Sequence, residues 1–342
     1  MTPQKALIHY PLGRVSAITP ISVGLIHETY HVEAIDPSTG KIAPFILQRL
    51  HTALASPSVT EDYFAITEHL AAAGVTTQRV LRTKTGEITL TDDVAGRRWR
   101  LMVFVPGQVF SVVDSAARAR AVGASVGVFH GALANLKYKF KSKLALHPYD
   151  TSKFYKDFVR VTKKFAKDLL MTPDIRRDVD FLLAEIPKLA LPAGLSTRIV
   201  HGDLKITNFV FDETGKNVRA IIDLDTCARF PVLLELGDAL RSWCGHVEDD
   251  PRNKFDGAKY RAAVEGYIGA APRGFLSAHE RKLLPRAVKL IILNLASRFL
   301  KDYFEDSYFG FDTKKYSTRR AANLARARGQ IALYRDAVKK LA

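Results

Sequence analysis

Two short segments carry most of the information in this 342-residue sequence. The first, Ile199–Phe209, reads IVHGDLKITNF, and the second, Ile221–Asp225, reads IIDLD. Asp203 lies in the first segment with Asn208 five positions after it, and Asp223 ends the apolar run of the second. The intervening turn sequence, ETGK, favours a β-hairpin between the two segments. The sequence therefore predicts a loop and a hairpin that carry two carboxylates and one amide.

These residue types suit the transfer of a phosphoryl group from a nucleotide to a hydroxyl. That reaction needs a carboxylate to accept the hydroxyl proton and oxygen ligands to hold Mg²⁺ on the phosphates. Asp203 is the candidate catalytic residue, and Asn208 and Asp223 are the candidate metal ligands because Mg²⁺ prefers oxygen. The alternative is that Asp203 only caps a turn and that Asp223 only ends a hairpin.

The spacing reproduces the His-Arg-Asp-x-x-x-x-Asn loop and the Asp-Phe-Gly acid of protein kinases, with Gly202 in place of the arginine. A His-Gly-Asp triplet here is typical of the aminoglycoside phosphotransferase-like (APH/choline kinase) superfamily, which the chain resembles from about Ile18 to its C-terminal helix. The resemblance implies His201 as structural support for the loop. It also implies Asp238 as a buried brace beneath it, although Asp238 could equally be an ordinary carboxylate near a helix N-terminus.

A later segment narrows the resemblance. Ser297–Phe309 is similar to the Arg-Phe-Leu-x-Asp-Tyr signature of N-acetylhexosamine 1-kinases, and Asn323–Ala327 also fits that group. The resemblance implies that Arg298, Asp302 and Tyr303 shape a substrate-binding pocket for a sugar. Arginine and aspartate four positions apart share a helix face, and both can hydrogen-bond sugar hydroxyls or an acetamido group. The alternative is an exposed ion pair beside a tyrosine in the core.

The nucleotide side of the resemblance rests on Ser22–Tyr30, which takes the position of the kinase phosphate loop. The segment has one glycine, Gly24, and backbone amides from there to His27 are expected to contact phosphate oxygens. His27, Thr29 and Gln48 complete the expected nucleotide contacts. Protein kinases have a lysine in this register, where this chain has Gln48. The difference matters because an amide donates hydrogen bonds without neutralising charge.

The segment Leu101–Gly107 resembles the hinge at which adenine bonds to main-chain groups in this superfamily. Phe104 and Val105 are the expected nucleotide contacts there, and a buried strand ending in a turn would be compatible with that role. The Pro-Gly break after them predicts two domains, an N-lobe at residues 1–104 and a C-lobe at residues 105–342. The resemblance implies that the N-lobe binds nucleotide and that the C-lobe carries the catalytic loop and the sugar-acceptor site.

Hydrophobic periodicity supports the same division into two lobes of an α+β fold, and the resemblance implies that this is the bilobal protein-kinase-like fold. It predicts an N-terminal antiparallel sheet plus one helix, and a larger helical C-terminal lobe with an embedded β-hairpin. The predicted strands are Ile18–Leu25, Glu28–Ile35, Pro44–Leu50, Arg79–Arg82, Ile88–Thr91, Arg98–Val105, Arg198–Val200, Phe209–Phe211 and Val218–Ile222. The predicted helices are Val59–Ala73, Ser115–Leu136, Ser152–Leu170 and Ile175–Leu189, with helices dominating again from Leu236.

Composition limits the function classes. With 47% apolar and 25% charged residues the chain is not disordered, collagen-like or coiled-coil. Lys and Arg total 51 against 35 acidic residues, and the resulting charge of +16 favours anionic partners. Two cysteines, Cys227 and Cys244, fit a reducing compartment. Without a leader-like start or an apolar run of about 20 residues, a soluble cytoplasmic protein with no membrane partner is expected.

The expected function is therefore an ATP-dependent kinase, with Mg²⁺ as cofactor, that phosphorylates the anomeric hydroxyl of an N-acetylhexosamine or a related sugar. Another acceptor is the first alternative: an aminoglycoside, an amino alcohol or a different sugar. The positive charge of the chain counts against polycationic aminoglycosides. The second alternative is a non-catalytic protein that binds nucleotide or nucleic acid, suggested by Gln48 and by the basic stretch Lys137–Lys167. Such a charge run is more often a solvated face, so nucleic acid is an unlikely partner. The oligomeric state stays open.

Overall fold

The computed structural model describes residues 1–21, 27–94, 96–142 and 150–341. The strands are β1 (Val15–Ile21), β2 (Glu28–Ile35), β3 (Ile42–Leu50), β4 (Val80–Leu81), β5 (Leu90–Thr91), β6 (Arg98–Val103), β7 (Thr197–Val200), β8 (Phe209–Phe211), β9 (Val218–Ile221) and β10 (Ala228–Pro231). The helices are α1 (Pro3–Leu7), α2 (Pro57–Ala72), α3 (Ala116–Leu133), α4 (Thr151–Lys164), α5 (Pro173–Glu185), α6 (Val232–Cys244), α7 (Gly257–Ala270), α8 (Ala278–Glu305) and α9 (Arg319–Lys340). Short 3₁₀ turns cover Ile186–Leu189, Ile206–Asn208 and Leu224–Thr226.

The chain forms two units. The first unit consists of Met1–Val109, Phe129–Ala145 and Asn208–Ala228, and the second of Phe110–Val128, Leu146–Thr207 and Arg229–Ala342. The domain boundary between residues 104 and 105 stays a prediction.

The first unit is built on an antiparallel sheet in the order β1-β2-β3-β6-β4, with β5 also paired to β6. Side chains of a strand alternate between its two faces. One face therefore carries Val32, Leu47, Trp99 and Leu101, which pack with residues at the start of the chain. Tyr10 from that start donates its hydroxyl to the Trp99 carbonyl over 3.0 Å.

The opposite face of β6 carries Arg100 and Met102. Tyr63 of α2 donates its hydroxyl to Met102 Sδ over 3.2 Å, and the Arg100 guanidinium lies 3.8 Å from the centre of the Tyr63 ring. Because β3 and β6 pair with Gln48 opposite Arg100, these two polar side chains are neighbours. The pairing thus brings a buried arginine against the predicted nucleotide contact.

The hairpin of β8 and β9 belongs to the first unit and pairs Phe209 with Ile221. It is held to the chain segment after β6 by two backbone hydrogen bonds between Gln108 and Phe211, of 2.9 and 2.8 Å. Gly107 adopts φ +150° there, and a Cβ on it would lie 2.0 Å from the Phe211 carbonyl oxygen. Only glycine allows the two segments to approach this closely.

The second unit is mainly helical, and α8 packs on α4, α6 and α9. The helix begins with a capping box in which Ser277 and Glu280 satisfy each other's backbone N–H groups. Helices α3 and α7 are in backbone contact, since a Cβ on Gly266 would lie 2.2 Å from the Arg120 carbonyl oxygen. Across the described ranges, every helix is too short or too polar to cross a membrane.

The predicted arrangement is observed: an N-terminal antiparallel sheet is followed by a larger helical portion with an embedded hairpin. Strands β2 and β8 have the predicted bounds, while β6 ends two residues earlier than expected. The predicted helix at Ser152–Leu170 ends at Lys164. Helix α1 and strand β10 are not among the predicted elements, because both are too short to show a periodic pattern.

Candidate active site

The loop after β7 lies in the second unit and carries Asp203. His201 is fully buried, and its Nδ1 accepts a hydrogen bond of 3.2 Å from the Asp203 backbone N–H. Gly202 adopts φ +92°, a conformation that glycine reaches without strain. Its backbone N–H donates to Glu235 Oε1 over 2.8 Å, and Trp243 Nε1 donates to the Leu204 carbonyl over 2.9 Å. These contacts fix the backbone on both sides of Asp203.

The Asp203 side chain keeps 38% of its surface exposed, so a substrate hydroxyl can reach it. Lys205, two residues later, donates from Nζ to Asp203 Oδ2 over 2.6 Å. The lysine side chain is 48% exposed. The loop therefore presents an accessible carboxylate beside an accessible cation.

The brace beneath this loop is Glu235, which is completely buried. Asp238, the residue expected in that role, instead accepts a hydrogen bond of 2.9 Å from Arg241 Nε. Arg241 also lies 3.8 Å from Glu248. Both acids lie on α6, three residues apart. The carboxylate that contacts the loop is that of Glu235.

Asn208 and Asp223 both lie in the first unit, where the hairpin brings their segments together. The Ile222 backbone N–H donates to the Asn208 carbonyl over 2.9 Å, so Asn208 stands beside the residue that precedes Asp223. Asp223 has the left-handed backbone angles φ 68° and ψ 56°, which are uncommon for residues other than glycine. Such strain collects at functional sites. An amide and a carboxylate oxygen at this corner fit a hard cation.

The best-defined polar cluster of the first unit surrounds Asp225. Arg100 donates from Nη1 and Nη2 to the two oxygens of Asp225, each over 2.8 Å. Both side chains are only 1% exposed. Burial alone would raise the pKa of the Asp225 carboxyl, but the charge of Arg100 outweighs it and holds that pKa well below its usual range. The pair is therefore ionised and fully removed from solvent.

His27 borders this cluster, and its tautomer follows from its contacts. Its Nδ1 accepts a hydrogen bond of 3.1 Å from the His51 backbone N–H, so the proton of the neutral ring is on Nε2. Nε2 is buried, forms no hydrogen bond with a described residue, and lies 3.7 Å from Asp225 Oδ2. Ligand atoms of His27, Asp223 and Asp225 lie within 4.8 Å of one another. However, a protonated Nε2 cannot bind a metal, so His27 offers a hydrogen-bond donor instead.

Gln48 is oriented by the same arginine. Arg100 Nη2 donates to Gln48 Oε1 over 2.7 Å, and Gln48 Nε2 donates to Thr29 Oγ1 over 3.4 Å. Two glutamates of α2 are engaged elsewhere: Glu61 pairs with Lys141 and Glu68 with Arg79. The charged side chain beside Gln48 is thus Arg100 of the adjacent strand β6, and not a glutamate of α2.

The expected adenine contacts, Phe104 and Val105, follow β6 in the first unit. Val105 is buried against Val210 and Ala220 of the hairpin, and Phe104 makes an edge-on ring contact with His31. No hydrogen bond of the described residues uses the backbone N–H or C=O of Phe104 or Val105. These groups are therefore available to a ligand. Gly24 lies outside the described residues.

The three expected sugar-binding residues lie on α8 in the second unit, where they differ in their surroundings. Asp302 is buried and accepts hydrogen bonds from four N–H groups, those of Ser307, Tyr308 and Phe309 and the Asn323 amide. Tyr303 is buried, and its hydroxyl donates to the Leu170 carbonyl over 3.3 Å. Asp302 therefore forms no exposed ion pair, whereas Tyr303 lies in the core, as the alternative has it.

Arg298 lies between two aromatic rings, 4.4 Å from the centre of Phe154 and 5.5 Å from that of Phe309. Among the described residues, no carboxylate lies within ion-pair distance of its guanidinium. Burial lowers the pKa of Arg298 from its ordinary value. The Tyr308 side chain hydrogen-bonds Arg298 and the charge of Asp238 acts on it, so part of the capacity of the guanidinium is already used within the protein.

Sequence reasoning missed Arg100 and Glu235. Alternation along β6 places Arg100 on the face opposite Trp99. Its partner Asp225 is 125 residues away in the sequence, so no local pattern indicates the pair. Glu235 lies three residues before Asp238 on the same helix, but the resemblance points to Asp238 alone. Lys205 could have been found from its position two residues after Asp203.

The comparisons with known proteins agree with this geometry. A family model described as "Phosphotransferase enzyme family" (APH) matches residues 17–267. The chain belongs to this family. It is therefore a small-molecule kinase, an enzyme that transfers phosphate to a hydroxyl acceptor, and the expected superfamily is confirmed.

One curated relative of this kinase is a homoserine kinase of Caulobacter sp. (strain K31). It is 26% identical over 277 residues, which cover 81% of this chain and 78% of the relative. Among solved structures, an amicoumacin kinase in complex with AMP-PNP, Ca²⁺ and Ami has a TM-score of 0.64 at 18% identity, covering 96% of this chain and 91% of its own. A microcompartment-associated aminopropanol kinase has a TM-score of 0.64 at 19% identity, covering 99% and 97%. These two structures show the shared fold.

Proposed function

We propose that this kinase uses ATP to phosphorylate the anomeric hydroxyl of an N-acetylhexosamine or a related sugar. The observation that carries the proposal is the loop that fixes Asp203, followed by the hairpin corner of Asn208 and Asp223. The sugar class rests on the resemblance of Ser297–Phe309 to N-acetylhexosamine 1-kinases and on Arg298 between its aromatic rings.

In the proposed reaction Asp203 orients the acceptor hydroxyl and accepts its proton. The hydroxyl oxygen forms a bond to the γ-phosphorus while the bond from that phosphorus to the β–γ bridging oxygen breaks, and ADP leaves. Lys205, which already contacts Asp203, is placed to contact the transferred phosphoryl group. His201 holds the backbone N–H of Asp203 and so keeps the carboxylate in position.

The donor is held by groups of the first unit in this proposal. The backbone of Phe104 and Val105 bonds adenine, and the apolar cluster of Val105, Val210 and Ala220 packs against the base. Asn208 and Asp223 would hold Mg²⁺, which would supply positive charge against the phosphates when bound. The amicoumacin kinase, solved with a nucleotide analogue and a divalent cation, supports a metal-bound nucleotide as donor.

A panel of acceptors tests the proposal. The enzyme is incubated with ATP and Mg²⁺ and with N-acetylglucosamine, N-acetylgalactosamine, homoserine, aminopropanol and an aminoglycoside, and products are identified by phosphorus NMR. A sugar 1-phosphate formed by the wild type and not by the Asp203→Asn variant is the expected result. Consumption of ATP with none of these sugars would refute the sugar assignment.

A hydroxylated amine or amino acid is the second candidate acceptor. The similarity to a homoserine kinase over 81% of the chain favours it. Arg298 could pair with the carboxylate of such an acceptor, since the charge of Asp238 acts on it without an ion pair between the two side chains. Phosphorylation of homoserine without any sugar 1-phosphate would select this candidate.

The basic stretch Lys137–Lys167 gives less support to nucleic-acid binding. Lys141 pairs with Glu61 and Lys153 with Asp157, so part of its charge is already matched. Absence of DNA or RNA binding at low salt is the expected result, because phosphate contacts would be strongest there. We also place the enzyme in the cytoplasm, where the two cysteines, neither of which forms a disulfide, would stay reduced.

A further inference from the structure

The first unit contains a buried cation that the sequence comparison with protein kinases does not anticipate. In protein kinases a strand lysine contacts the phosphates, and here Gln48 stands in its register. Arg100 lies opposite Gln48 on β6 and is 1% exposed. Both of its terminal nitrogens are engaged by Asp225 over 2.8 Å. Its charge is therefore matched inside the protein and is not offered to a ligand.

What Arg100 does control is the orientation of the Gln48 amide. A guanidinium can only donate hydrogen bonds, so the atom of Gln48 that lies 2.7 Å from Arg100 Nη2 must be the carbonyl oxygen. The amide nitrogen is then turned away, toward Thr29 Oγ1 at 3.4 Å. That contact uses one of its two N–H bonds, and the second has no partner among the residues that the structure describes.

The His27 ring is also held in one orientation, because its Nδ1 accepts a hydrogen bond from the His51 backbone N–H. Its Nε2–H is a buried donor that forms no hydrogen bond with any described residue. It lies 3.7 Å from Asp225 Oδ2, an oxygen to which Arg100 Nη2 also donates. Two neutral donors, on Gln48 and His27, thus stand around one buried ion pair, and each has its direction set by a neighbour.

We propose that Arg100 is a positioning residue of the donor site: paired with Asp225, it locks the Gln48 amide so that Gln48 and His27 bind phosphate oxygens of the nucleotide through neutral N–H groups. This inference rests on the proposed use of a nucleoside triphosphate. Because neutral donors leave the phosphate charge uncompensated, nucleotide affinity should depend on the divalent cation more steeply than in a site with a lysine.

A double-mutant cycle on nucleotide affinity tests the positioning role. Dissociation constants for AMP-PNP with Mg²⁺ are measured by calorimetry for the wild type, Arg100→Lys, Gln48→Met and the double variant. Lysine keeps the charge beside Asp225 but cannot bridge both of its oxygens and Gln48. We expect each single change to weaken binding by about tenfold and the double variant to be no weaker than the weaker single variant. Arg79→Lys is the matched control, because Arg79 makes an equally bidentate but exposed pair with Glu68, and it should leave the affinity unchanged.

The Gln48→Lys variant tests the neutral character of the site. The ratio of nucleotide dissociation constants without and with Mg²⁺ should fall severalfold, because the lysine supplies charge that the metal otherwise provides. An unchanged ratio would overturn that part of the inference. Arg100→Lys with wild-type affinity, or single effects that multiply in the double variant, would overturn the positioning role.

The outcomes also separate this inference from the proposed function. If the wild type binds nucleotide but phosphorylates no acceptor, the proposed function fails while the cycle still decides the role of Arg100. If acceptors are phosphorylated and the cycle shows no coupling, the inference fails alone. A wild type that binds no nucleotide refutes both.

Discussion

Replacing Arg100 by methionine removes one half of a fully buried ion pair and keeps most of the side-chain volume. Asp225 would remain 1% exposed in the wild-type packing, with its carboxylate deprived of two charged hydrogen bonds. Breaking such a pair by removing one partner costs about 3–5 kcal/mol of unfolding free energy, because the other charge stays uncompensated. With a urea m value of about 2–3 kcal/mol/M, the unfolding midpoint should fall by about 1–2.5 M.

The sequence offers a convenient assay because it contains two tryptophans, Trp99 in the first unit and Trp243 in the second. In a Trp243→Phe background, fluorescence reports unfolding of the first unit alone. The control is Glu68→Gln, which breaks an ion pair on the same unit with exposures of 53% for Arg79 and 34% for Glu68. An exposed pair is worth about 0–1 kcal/mol, so the control should unfold close to the parent.

The effect should also depend on pH. The pKa of Asp225 is held well below its usual range in the folded protein, so its pairing stabilises the fold above the unfolded value of about 3.9. That contribution is lost as the pH falls through the folded pKa. The difference between the wild type and Arg100→Met should therefore be full at pH 7 and shrink below about pH 4.

A double replacement completes the argument. Arg100→Met with Asp225→Leu removes both charges and should recover most of the stability, since apolar residues often replace buried pairs without loss. The reasoning is refuted if Arg100→Met unfolds within about 1 kcal/mol of its parent, as an exposed pair would. It is also refuted if adding Asp225→Leu to Arg100→Met lowers the free energy of unfolding further, by about as much as Arg100→Met itself does.

Three further predictions concern the second unit. Asp203→Asn should lower kcat by about 10²–10⁴-fold with nucleotide affinity unchanged, measured by ADP release and calorimetry, and a wild-type kcat would contradict the role of a base. Burial raises the pKa of Asp302, but the N–H groups that it accepts outweigh this and hold it below its usual range. Asp302→Asn should therefore lose stability above about pH 4 and show a flatter acid profile in thermal unfolding, whereas unchanged profiles would contradict this. Gly266→Ala should cost about 1–3 kcal/mol in urea unfolding, because its Cβ would lie 2.2 Å from the Arg120 carbonyl oxygen. Gly269→Ala on the same helix has nothing within 4 Å and should not destabilise; equal effects of the two would refute the packing argument.

The sequence predicts well what depends on neighbouring residues. The turn between β8 and β9 and the bounds of β2 and β8 follow from local alternation and turn chemistry, and the structure has them where expected. Asn208 and Asp223 are predicted as metal ligands from their residue types and spacing, and the short hairpin brings their segments together.

What depends on distant contacts was not predictable. Arg100 reads as one of two arginines in a strand, and nothing local indicates that it is buried against Asp225. Asp302 has the spacing of a pocket residue, yet its carboxylate caps the backbone that follows α8. In each case the deciding groups are backbone N–H donors or partners that only the folded chain brings near.

The pair of Arg100 and Asp225 also has a consequence for how such enzymes diverge. Each residue is costly without the other, so a lineage cannot easily lose one and keep a stable first unit. Among relatives that keep Gln48, positions 100 and 225 should therefore be inherited as a unit. A lysine at position 48 would remove the need to orient an amide, but the two buried charges would still have to be kept or lost together.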